Sequence, residues 1–137
     1  MLPIQRLSLV LLVLPAAGCA QSFKTVEDAH AQGEGTSRTY ALPVHDVYEA
    51  ARAVLRCEGA SYVGDGEGSG ELLASWDPTI GFRGYFGVFL EEDDETHTRV
   101  TAISKGSGST QIILPLREET FHAKLAARLS TGPVTGC

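Results

Sequence analysis

Basic residues are scarce in this chain. Eleven Lys and Arg stand against 17 Asp and Glu, a formal net charge of −6. So acidic a protein makes poor electrostatic contact with phosphate backbones, which argues against nucleic acid as a partner. Beyond the first residues there is no apolar run long enough to span a bilayer, which excludes a multi-span membrane protein. The four histidines (His30, His45, His97 and His122) stand singly, without an HxxxH or HExxH pair. No serine lies in a GxSxG elbow, and no two cysteines form a CxxC pair. The acidic runs 65–71 and 91–95 lack the spaced Asp/Asn pattern and closing Glu of a calcium loop. No catalytic residue, metal site or cofactor is therefore expected.

What is present begins with an export segment. A short start carrying Arg6 is followed by the apolar stretch 7–14 and by the small residues Ala16, Ala17 and Gly18. This is the layout of a secretory signal, with an apolar core too short for a transmembrane helix. Cys19 follows directly, and Ala-Ala-Gly-Cys resembles the lipobox of bacterial lipoproteins. That resemblance implies a cut before Cys19, a thioether-linked lipid on its sulfur and an acylated new N-terminus. It departs from the usual pattern in having Ala16 where Leu is common. Ala20, rather than Asp, comes next, which resembles cargo sorted to the outer membrane. Removal of residues 1–18 takes away one charge, Arg6, and leaves ten basic against 17 acidic residues, a net charge of −7.

Residues 19–35 read as the lipidated cysteine and a flexible tether, polar and glycine-ended, with a typical span of roughly 20–25 Å and at most a transient helical turn over Lys24 to His30. A single domain is expected over 36–130, followed by a loose tail over 131–137. Tyr40 and Leu42 alternate with polar neighbours, as in a first strand. Pro43 opens a helix at its first position. Its apolar stripe is Val44, Val47, Tyr48, Ala51, Val54 and Leu55, and Gly59 ends it. Strands are expected at 60–63, 71–77, 85–91 and 96–104, with a further short one at 110–114. Within them Leu72, Ala74 and Trp76, and then Phe86, Val88 and Leu90, share a face. Loops are expected at 77–84 and 91–95. A second helix starts from Pro115, with Phe121, Leu125 and Leu129 at i, i+4, i+8. The short links favour antiparallel pairing. The fold class that follows is α+β: a two-layer sandwich in the order β-α-β-β-β-β-α. An antiparallel sheet of about five strands would carry two amphipathic helices on one face and leave its other face polar.

Three features bear on function. The run Gly64-Asp65-Gly66-Glu67-Gly68-Ser69-Gly70 has alternating glycines but is followed by a strand pattern, so a hairpin turn is favoured over a phosphate cradle. With Cys19 lipidated, Cys57 and Cys137 remain, and an even count in an oxidising compartment suggests a disulfide. Cys57 lies off the helix's apolar centre and Cys137 ends a loose tail, so two free thiols stand as the alternative. In 81–89, Phe82 and Tyr85 flank Arg83 and would present a partner-binding surface, since aromatics and Arg are enriched in interface hot spots. The competing reading places Phe86 and Phe89 on opposite sheet faces, with Phe82 plugging the end of the sheet.

The helix-opening phrase from Leu42-Pro43-Val44 through Ala50-Ala51, with the turn Gly68-Ser69-Gly70, resembles a group of small Gram-negative lipoproteins. Their α+β domain is similar to the helix-grip domains of the accessory lipoprotein BamC of the β-barrel assembly machine. The resemblance covers residues 36–130 and implies a fold and an envelope location, with no catalytic residues to carry over. The expected function is that of a non-enzymatic lipoprotein, anchored in the outer membrane through its N-terminal lipid and facing the periplasm, whose domain binds another envelope protein. The alternatives are a pilotin-like assembly factor and a small periplasmic hydrolase or ligand-binding domain.

Overall fold

The computed structural model describes residues 22–79, 82–106, 116–132 and 136–137. The export segment, Cys19, the expected strand 110–114 and Pro115 lie outside them. Eight elements follow in chain order: α1 (Phe23–Ala31), β1 (Thr36–Tyr40), α2 (Val44–Cys57), β2 (Tyr62–Asp65), β3 (Glu71–Thr79), β4 (Phe82–Asp94), β5 (His97–Gly106) and α3 (Glu118–Ser130). The five strands form one antiparallel sheet in the order β1-β5-β4-β3-β2. The protein is α+β, as its pattern of amphipathic helices and hairpin-linked strands requires.

β1 and β2 occupy opposite edges of the sheet, so α2, which joins them, has to cross one face. It does so on Val47, Ala51, Val54 and Leu55, the buried part of its predicted stripe. α3 packs beside it through Phe121 and Leu125. Beneath them Leu72, Ala74, Trp76, Phe86, Val88, Leu90, Val100 and Ala102 complete the main core. Phe86 meets Phe121 at 5.1 Å between ring centres and Trp76 edge-on at 6.5 Å. The indole N–H of Trp76 donates to the Glu58 carbonyl at 3.1 Å, satisfying an acceptor at the end of α2.

The other face of the sheet is apolar too, which corrects the expectation of a polar one. Leu73, Tyr85, Phe89 and Ile103 form a second buried cluster with Val26 and Ala29. Its cover is α1, which occupies most of the stretch expected to be a tether. α1 lies along β4. Phe23 meets Tyr85 edge-on at 5.3 Å, and His30 stacks on Phe89 at 3.8 Å. Between them Val26 sits over Gly87, where a Cβ would come within 2.2 Å of Val26 Cγ1. Any side chain at 87 would lift the helix from the strand. The sandwich therefore has three layers, α1 on one face and α2 with α3 on the other.

The strands also run further than expected. β3 and β4 extend into the predicted loop 77–84, pairing Thr79 with Phe82 across an irregularity in register. β4 continues through the acidic run to Asp94, because its backbone goes on pairing with β5 there: Glu91 lies opposite Arg99 and Glu92 opposite Thr98, both glutamates stay exposed, and Glu91 pairs with Arg99 at 3.0 Å. The β4–β5 turn is held by Asp94. Its carboxylate accepts the Thr96 N–H at 2.8 Å, bonds His97 and accepts the Thr96 hydroxyl, and these hold its pKa at about 2.

Candidate functional site

Two clusters of polar groups lie at the two ends of α3. At its start, Glu118 reaches back to the sheet. Glu118 Oε1 accepts the Thr36 hydroxyl at 2.8 Å, and Oε2 accepts the Ser104 N–H at 3.0 Å. Ser104 lies past the end of β1, whose pairing with β5 stops at Thr36 and Ala102, so the carboxylate satisfies a donor that the sheet leaves open. A hollow of about 320 Å³ beside it is lined by Thr36, Ser104, Arg117, Glu118, Glu119 and Thr120.

One turn further on, His122 is fully buried. Its Nε2 lies 2.7 Å from the Thr36 carbonyl oxygen, which can only accept, so Nε2 carries the proton. Nδ1 is then the acceptor for the Tyr40 hydroxyl at 2.6 Å. Burial lowers the pKa of His122, Arg38 adds to the effect, and the Thr36 hydrogen bond opposes it. Burial likewise raises that of Tyr40. Both ring nitrogens are engaged in joining α3 to β1, so the ring acts as a fastener and has no free site for proton transfer.

The unfolded chain would bind a proton at His122 near pH 6.5, more readily than the folded one. His122 therefore stabilises the fold fully above that pH, and this contribution is lost as pH falls through 6.5 toward the lower folded value. Urea midpoints at pH 7.5 and pH 5.5 are expected to differ more for the wild-type protein than for His122→Gln. Equal differences would contradict the assignment.

At the other end of α3, Cys57 and Cys137 form a disulfide with Cα atoms 5.3 Å apart. The tail expected to be loose thus ends tied to the last residue of α2. Arg128 reinforces the closure, donating from Nη2 to the Gly136 carbonyl at 2.9 Å and approaching Cys57 Sγ with Nη1 at 3.8 Å. Lys124 pairs with Glu58 alongside. A hollow of about 370 Å³ lies here, lined in part by Val54, Ala127 and the disulfide.

The expected partner surface comes out differently. Tyr85 is only 9% exposed and packs under α1, in phase with Gly87 and Phe89, so it does not face a partner. The backbone of Phe82 and Arg83 belongs to β4 and not to a loop, while their side chains lie outside the described residues. In the glycine-rich run Gly64 and Asp65 end β2 and 66–70 make the hairpin turn, closed by the Gly66 N–H donating to the Glu71 carbonyl at 2.9 Å. Glu71 also accepts the Gly68 N–H at 3.1 Å. Among the described residues, no group of three or more His, Cys, Asp or Glu is placed to hold a metal ion. None of their helices is long and apolar enough to cross a membrane.

No protein-family model matches the chain, and no curated protein matches it. The resemblance carried by residues 36–130 therefore rests on those short phrases alone.

Proposed function

We propose that this chain is an exported bacterial lipoprotein, held at the outer membrane by lipid on Cys19, whose α+β domain binds another envelope component. The observation that carries the reading is the way the three cysteines divide. One follows the export segment directly, and the other two are joined to each other. A disulfide between the end of α2 and the chain terminus suits an oxidising compartment, and the lipobox-like sequence leads to the same address. A binding role is favoured over catalysis because the polar groups at the start of α3 are engaged in holding elements together. Glu118 uses both carboxylate oxygens in this way and His122 both ring nitrogens.

The test is Cys19→Ser. Cell fractionation is expected to find the wild-type protein with the outer membrane and the variant in the soluble periplasm. A variant that stays with the membrane would contradict the anchor.

A further inference from the structure

If Cys19 is the lipid attachment site, α1 leaves the domain very little leash. Four residue steps separate Cys19 from Phe23, and a fully extended chain covers at most about 14 Å over that length. The start of α1 is thus held close to the lipid surface, and whatever surrounds Phe23 has to meet the headgroups.

What surrounds it is aromatic. Phe23 is half-buried, with its ring 5.5 Å from Tyr62 and 5.3 Å from Tyr85. Tyr62, at the start of the edge strand β2, is 49% exposed, which makes it an outlier among the large apolar side chains described. Lys24, next to Phe23, has a side chain 76% exposed, although it reaches Asp28 at 3.5 Å. The acidic groups that crowd Glu27 (Glu67, Glu71 and Asp28) belong to the β2–β3 turn, to the start of β3 and to the later part of α1. The two ends of the helix therefore differ, with aromatic rings and a lysine near the leash and carboxylates further along. Tyrosine with a neighbouring apolar ring suits the boundary between acyl chains and water, since the ring is apolar and the hydroxyl stays hydrated.

We propose that the Phe23–Tyr62 corner is a membrane-contact surface, seated at the lipid interface of the membrane that carries Cys19. This rests on the lipid-anchor reading and adds an orientation to it. The sheet stands with its β2 side toward the bilayer, and β1, four strand spacings of about 4.8 Å away, is turned from it.

The test uses the full chain, exported and purified from membranes, in vesicles of phosphatidylethanolamine and phosphatidylglycerol with brominated acyl chains. Tryptophan reporters are placed by Tyr62→Trp, by Lys24→Trp as a second reporter near the leash, and by Thr39→Trp on exposed β1. The emission of native Trp76 is subtracted using the wild-type protein. The mass of each sample is read first, to establish whether Cys19 carries lipid. With Cys19 acylated, emission from Tyr62→Trp or Lys24→Trp is expected to fall about twofold in brominated vesicles, while Thr39→Trp is unchanged. Acylated protein with equal quenching at all three positions, or with none, would overturn the contact surface and leave the anchor standing. Protein without lipid on Cys19 would overturn both.

Discussion

Replacing Cys57 and Cys137 together by serine is expected to lower the unfolding free energy by about 4 kcal/mol and the melting temperature by roughly 15–30 °C. The bond joins residues 80 apart in sequence, so it closes a long loop that contains β2 to β5 and α3, with α1 and β1 before it. On the chain-entropy account, a loop of that length strongly restricts the unfolded ensemble. The folded state loses little else by the change. Cys57 already sits at the end of α2, and Arg128 binds Gly136 through a separate hydrogen bond. Calorimetry of the wild-type protein with and without reductant, beside the double variant, measures the effect. The reduced wild-type protein should match the variant. A shift of only a few degrees would mean that the terminus contributes little to the closed domain.

Val26→Asp is expected to be comparably severe, destabilising by about 3–5 kcal/mol, the usual scale for an uncompensated charge in a core. Val26 is fully buried against Gly87, among Leu73, Tyr85, Phe89 and Ile103. A carboxylate there would have no partner and would join a helix on which Glu27 is already hindered from ionising, by burial first and then by Glu67 and Glu71. The cheaper response is for α1 to leave the sheet, which exposes the second cluster to water. Chemical denaturation gives the loss, and hydrogen exchange in α1 shows where it falls. If 19–35 behaved as a tether, Val26→Asp would change neither measurement.

In the sequence α1 amounts to no more than a transient turn over Lys24 to His30, for a physical reason. Its apolar stripe is only the half-buried Phe23 with the buried Val26 and Ala29, set among Lys24, Glu27, Asp28 and His30, and so short and polar a segment would not hold a helix alone in water. The signal lay in the strands. Leu73, Tyr85, Phe89 and Ile103 alternate with the residues of the main core, so the sheet is apolar on both sides and needs a second cover. The stripe of α2 was legible because six apolar residues repeat at helical spacing over a strongly amphipathic segment. The acidic run 91–95 reads as a turn by composition, yet the strand continues because its backbone stays paired with β5 and Glu91 meets Arg99 across the ladder. The His122 fastener was out of reach. It joins residues 82 and 86 positions apart, and only the placement of β1 beside β5 brings Tyr40 and Thr36 to α3. The pair Cys57 and Cys137 could be suggested by count, whereas the return of the chain end to α2 is a property of the fold.

The intact mass of the protein extracted from native membranes without reductant reads the lipid anchor and the disulfide together. The expected mass is that of a chain beginning at Cys19, heavier by a diacylglyceryl group and an N-terminal acyl chain, and lighter by two hydrogens for the Cys57–Cys137 bond. A mass equal to the unprocessed 137-residue chain, or to a cleaved chain without lipid and with free thiols, would contradict it.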